Sequence, residues 1–99
     1  MNTRLTWDET KRQANILKHG LDFADAGEVL ESRYLLDIVV WRDDENRVMS
    51  ISYVASFLAV LTVAHTERDD TIRIISFRRA SREEREIYYA WLENEFNDA

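Results

Sequence analysis

The chain has 99 residues, no cysteine, no proline, a hydrophobic fraction of 45% and a formal net charge of −6. That is enough for one domain with one modest core and too apolar for disorder, and the missing thiols exclude a disulfide framework and thiolate catalysis. The acidic balance argues against non-specific nucleic-acid binding by the surface as a whole, yet six arginines face only four acids between Arg68 and Arg85, so a local basic patch remains open.

Residues 3–7 read as a short edge strand ending at Trp7. Thr6-Trp7-Asp8-Glu9 has capping-box spacing, with Asp8 as an alternative cap, and a helix follows to about His19. Gly20 supplies the C′ residue, and Lys18 and His19 sit in the last turn, where cations suit the helix dipole. Asp22 is expected to cap a second, short helix carrying Phe23, Ala26 and Val29/Leu30 at helical spacing. The period then changes. Leu36–Trp41, Val48–Val54, Phe57–His65 and Ile72–Phe77 are β-branched and aromatic runs, joined by polar turns at 43–46 and 67–70 and by a weak turn signal at Ala55-Ser56. Ser81-Arg82-Glu83-Glu84 is a capping box that opens a last helix, expected to bury Ile87, Tyr88, Trp91, Leu92 and Phe96. The chain therefore reads as a single α+β domain over 1–99. It has a curved antiparallel sheet of four to five strands, two N-terminal helices and one C-terminal helix, with the helices on one face. The longest apolar run, Phe57–Ala64, is far too short to cross a bilayer, and no signal-peptide pattern opens the chain. A cytoplasmic location without membrane partners is expected.

Chemistry concentrates where a strand ends in Arg78-Arg79 directly before the last helix, because arginine offers phosphate a rigid, permanently charged fork. On a regular strand, Arg78 shares a face with Ile72, Ile74 and Ser76, and Arg79 shares the other with Ile75 and Phe77. One arginine of the pair is expected to meet Glu83 or Glu84 instead of a ligand. At the turn, Arg68 either clamps phosphate beside a Glu67 base or decorates a solvated hairpin tip. Arg73 reads as a cross-strand charge partner. His65 shares the face of Phe57, Ala59, Leu61 and Val63 and reads either as a proton carrier or as a satisfied core residue. Tyr88 stacks a base or packs with Leu92. Trp7, Trp41 and Trp91 read as core or interface aromatics. Two histidines far apart give no metal-ligand spacing, and no glycine-rich phosphate loop is present, so neither metal nor cofactor is expected.

Several blocks together carry a resemblance. They are Trp7-Asp8-Glu9-x-Lys11, Asn15-x-x-Lys18-His19-Gly20-x-x-Phe23-x-x-Ala26, His65-Thr66-Glu67-Arg68, Arg73-Ile74-Ile75-Ser76-x-Arg78-Arg79-Ala80 and Glu84-x-x-x-Tyr88. In this order and spacing the chain resembles the BrnT family, toxins of bacterial type II toxin–antitoxin pairs. The resemblance implies a RelE-like fold and a metal-independent endoribonuclease that arrests translation. It also implies a BrnA-like antitoxin with a ribbon-helix-helix region, which alone would contact operator DNA. By the same resemblance, Arg78 and Arg68 would stabilise the phosphorane. His19, Glu67 or His65 would move protons, and Lys18, Arg79 and Tyr88 would hold RNA. Phe77 stands where the family usually has a small residue and is expected to narrow the site. A second reading is a non-catalytic module whose acidic surface grips a basic antitoxin.

Overall fold

A computed structural model describes residues 3–96 of the chain. The elements run β1 (Arg4–Thr6), α1 (Glu9–His19), a 3₁₀ turn (Phe23–Asp25), α2 (Gly27–Leu30), β2 (Leu36–Arg42) and β3 (Glu45–Val54). They continue through a second 3₁₀ turn (Ala55–Phe57), β4 (Ala59–Arg68), β5 (Thr71–Arg79) and α3 (Arg82–Phe96). Asp8, not Thr6, caps α1 by accepting from the Lys11 N–H, and Gly20 closes the helix at φ 71°, a left-handed conformation that costs glycine little. The expected second helix is shorter than its spacing implies. Asp22 accepts from the Ala24 N–H and starts a 3₁₀ turn, and only one α-helical turn follows. Arg12 binds both oxygens of Asp22, at 2.8 and 2.9 Å, and ties α1 to that turn.

The sheet has five strands in the order β1-β5-β4-β3-β2. β2 to β5 form the expected antiparallel meander, but β1 pairs with β5 in parallel, so the sheet is mixed. β1 and β5 are far apart in the chain and are not joined by a hairpin, so their connection does not impose the antiparallel direction. The first hairpin turns on two residues, Asp43 and Asp44, both at positive φ (52° and 61°). This suits a tight hairpin with the right-handed twist of its strands, and aspartate tolerates it better than most side chains.

Alternation along the strands places the helices on opposite faces, which corrects the expectation of a single covered face. Leu61 and Val63 of β4, Ile74 and Phe77 of β5 and Val54 of β3 form one core with Leu21, Phe23, Ala26 and Val29, from the segment just after α1 and from α2. Ile51, Val60 and Ala80 form a second core with Tyr88 of α3, flanked by Leu36, Ile38, Trp91 and Leu92. Within α3 only Tyr88 is fully buried, and Ile87 and Phe96 are about half exposed.

A bulge in β5 also overturns the expected parity. Ala64 pairs with Ser76 and His65 with Ile74, which leaves Ile75 as the extra residue. Ile74 therefore shares the inner face with Phe77, while Arg78 pairs with Thr62 on the other. Phe77 is wholly buried and packs in the core against Phe57 (ring centroids 6.5 Å apart).

Candidate active site

The residues expected to share one site separate into two groups at opposite ends of the sheet. Arg68 sits beside the β4–β5 turn and Arg78 near the far end of β5, six rungs up the ladder from Thr71, the partner of Arg68, once the extra residue of the bulge is discounted. That is about 20 Å in an extended strand.

At the first end, Glu67, Arg68 and Arg73 line an open cleft of about 620 Å³ together with Trp41 and Thr6. Trp41 is 70% exposed, far from the core position its size suggests, because β2 is an edge strand and its outer half lies beyond the helices. Asp44, Glu45 and Asp69 complete the rim, so the cleft carries both signs of charge. Arg73 pairs with Thr66 across the ladder and meets no carboxylate among the described residues, unlike the cross-strand charge partner expected.

Behind Glu67 stands a buried hydrogen-bond chain. His65 is 1% exposed, with Nε2 2.7 Å from the Ser50 hydroxyl, which in turn donates to Asp37. Because the serine proton goes to Asp37, the imidazole must donate through Nε2–H. Nδ1 is then left as a bare acceptor without a hydrogen-bond partner, 3.6 Å from a Glu67 oxygen. Burial pushes the His65 pKa below its ordinary value, against the opposing pull of the Glu67 and Asp37 carboxylates. His65 cannot touch a substrate; its reach is to Glu67, which is half exposed in the cleft.

At the other end, Arg78 makes a bidentate pair with Glu84, at 2.7 and 2.8 Å. Glu84 also accepts from Thr62 and from the Ser81 N–H, completing the capping box of α3. The Arg78 guanidinium is the first cause holding the Glu84 carboxyl down at about 2. Arg78 is thus the arginine of its pair that meets a carboxylate, and its fork is already filled. His19 is only partly exposed. Burial, then the charges of Lys18 and Arg78, lower its pKa, so this histidine belongs to the Arg78 end and is remote from Glu67.

Tyr88 does not present a face to a base. It is fully buried, donates to the Tyr34 carbonyl at 2.8 Å and accepts from the Tyr53 N–H at 3.1 Å. Arg79 projects from the last position of β5 into a separate shallow depression of about 280 Å³ with Arg85, Tyr53 and Tyr89. Neither Arg73 and Trp41 at the cleft nor Arg85, Tyr53 and Tyr89 at the depression stood out as site residues in the sequence. The signal available was the density of arginines between Arg68 and Arg85 in an acidic chain.

The chain is thus a small α+β domain with a mixed five-stranded sheet covered by helices on both faces, and arginines set along its last two strands. Residues 7–84 match the family described as the ribonuclease toxin, BrnT, of type II toxin–antitoxin systems, and the chain belongs to that family. Among curated proteins none matches it. No helix of the described residues is long and apolar enough to cross a membrane.

Proposed function

We propose that this protein is a metal-independent endoribonuclease of RelE-like architecture, which cuts RNA in the cleft of Glu67, Arg68, Arg73 and Trp41 and so arrests translation. The observation that carries this reading is a half-exposed carboxylate 3.6 Å from a buried imidazole nitrogen that has no hydrogen-bond partner, in a cleft that Arg68 and Arg73, free of carboxylate partners among the described residues, also line from the other face of the sheet. Glu67 takes the proton of a ribose 2′-OH. The freed oxygen attacks the adjacent phosphorus, Arg68 and Arg73 stabilise the charge of the phosphorane, and the 5′-oxygen departs with a proton from water. The products are a 2′,3′-cyclic phosphate and a 5′-OH. Once protonated, Glu67 can donate to His65 Nδ1, which makes His65 a positioning residue for the base. Trp41 offers its exposed face to a base flanking the cut. Among the described residues no group of three potential ligands converges for a metal ion.

The test is incubation of the purified full chain with RNA, with and without a chelator. Cleavage that survives chelation, leaves cyclic phosphate ends and is lost in Glu67→Gln supports the reading. Intact RNA with folded wild-type protein overturns it and favours the second reading, a binding module for a BrnA-like ribbon-helix-helix antitoxin that itself contacts operator DNA. One observation favours such docking in either case. The outer edge strand β2 leaves Val39, Val40 and Trp41 exposed, with an unpaired backbone edge for a partner to cover.

A further inference from the structure

The cleft alone is a poor holder of RNA, because Asp44, Glu45 and Asp69 repel the phosphates that Arg68 and Arg73 attract. An RNA-cutting protein of net charge −6 therefore needs affinity from elsewhere on its surface. We propose that the depression formed by Arg79, Arg85, Tyr53 and Tyr89 is an anchoring site for single-stranded RNA, distinct from the cleft. The proposal rests on RNA being the substrate and does not depend on which residues cut it.

Two guanidinium groups share this depression with two exposed aromatic rings, the combination that binds a single strand by charge and by stacking without reading its sequence. Tyr53 is 42% and Tyr89 49% exposed, unusual for rings beside a core. Neither Arg79 nor Arg85 meets a carboxylate among the described residues, although α3 is rich in glutamate.

The depression is also held in shape. Arg85 donates through Nη1 to the Ala80 carbonyl at 2.9 Å, which fixes the guanidinium while leaving its other N–H groups free. Tyr89 packs edge-on against buried Tyr88 (5.5 Å, 67°), and the Tyr88 hydroxyl accepts from the Tyr53 N–H. One buried phenol thus locks together the strand and the helix that carry the two exposed rings. Buried Val60 and Ala80 beneath it and exposed Leu58 beside it give the depression apolar surface that suits bases better than a row of carboxylates.

Ala59 lines this depression and Arg68 the cleft, so the length of β4 separates the two sites by about 30 Å. A long strand can occupy both, whereas a dinucleotide occupies only one.

The experiment uses the full chain and a fluorescent, non-cleavable 2′-O-methyl oligouridine, read by anisotropy over a salt series. Arg79→Glu is expected to weaken binding at least tenfold, and the slope of log affinity against log salt to fall by about 0.7 for the lost phosphate contact. Tyr89→Ala should lose about tenfold and Tyr89→Phe little, since stacking needs the ring and not the hydroxyl. In parallel, the preference for cleaving a long strand over a dinucleotide, taken as the ratio of kcat/KM values, should shrink by the same factor. Wild-type affinity in both Arg79→Glu and Tyr89→Ala, with unchanged melting temperatures, overturns the proposal. The same holds if these variants lose only binding to the antitoxin, which would assign the surface to a protein partner. Failure of every RNA to be cleaved would defeat the ribonuclease reading alone, because the anisotropy measurement stands without cleavage.

Discussion

The side-chain amide of Asn15 acts as a strand partner for Phe77. Its Nδ2 donates to the Phe77 carbonyl at 2.8 Å and its Oδ1 accepts from the Phe77 N–H at 3.2 Å. β1 covers the edge of β5 only along Thr71–Arg73, so beyond that point the backbone edge needs another partner, and a carboxamide offers one donor and one acceptor in peptide-like geometry. A second Nδ2 hydrogen bond, to the Leu21 carbonyl, holds the chain reversal after α1 against the same strand.

Asn15→Leu should destabilise the protein by about 2–4 kcal/mol, because it strands three buried backbone groups at nearly constant volume. Asn15→Asp should also be costly, since it keeps the acceptor but replaces the donor with an anion facing two carbonyls. Urea unfolding measures both. A loss below about 0.5 kcal/mol for Asn15→Leu would show that the β5 edge is satisfied in some other way.

Arg78 and Glu84 should behave as one structural unit. Arg78→Ala leaves a part-buried carboxylate without its partner, and a loss of about 1–3 kcal/mol is expected. In a double-mutant cycle with Glu84→Ala the coupling should be about 1 kcal/mol or more, and any loss of growth arrest in Arg78→Ala should track protein abundance in the cell. An additive cycle, with toxicity lost at full stability and abundance, would return Arg78 to the catalytic machinery.

The cleft residues should show the opposite pattern. Glu67→Gln is expected to lower cleavage by about 100- to 10,000-fold, and Arg68→Ala by about 100-fold or more, both with melting temperatures near wild type. Both side chains are exposed, so stability has little to lose. Cleavage assays paired with melting curves separate the two effects, and a fully active Glu67→Gln would remove Glu67 as the base.

Stability should fall as the pH drops through the range where free histidine protonates. The folded-state pKa of His65 lies below its ordinary 6.5, so the folded protein holds fewer protons there than the unfolded chain. The contribution is complete above about pH 6.5 and is lost as the pH falls towards the depressed folded value. Glu84 adds a second loss at lower pH, beginning near 4.5 and running down towards about 2. His19, whose pKa is also lowered, shares the upper step, so melting temperature against pH should show that step reduced in His65→Gln with the lower one unchanged.

Much of the framework was legible before any coordinates. The caps at Asp22 and Ser81, the alternative cap at Asp8, the stop at Gly20 and the four strands of the meander are written in local spacing, although Phe57 falls in a 3₁₀ turn before β4 and the strands reach into the expected turns at Glu45-Asn46 and Glu67-Arg68. What failed did so for non-local reasons. One unpaired residue, Ile75, reverses the facing of everything before it in β5, and no local signal marks a bulge within a uniformly β-branched run. Arg78, the residue most favoured from its neighbourhood, has its fork on Glu84 of the α3 capping box, while Trp41 and Arg73 line the cleft with Glu67.

The sequence by itself determined the elements, their order, a chain without thiols, and family membership through motifs spread across 7–84, because capping, periodicity and spacing are short-range properties. Only the tertiary structure decided which face each helix covers, that β1 runs parallel, and how the arginines divide among Glu84, the cleft and the tyrosine-lined depression. Those outcomes depend on register, twist and which charge reaches which partner, and every one of them couples residues far apart in the chain.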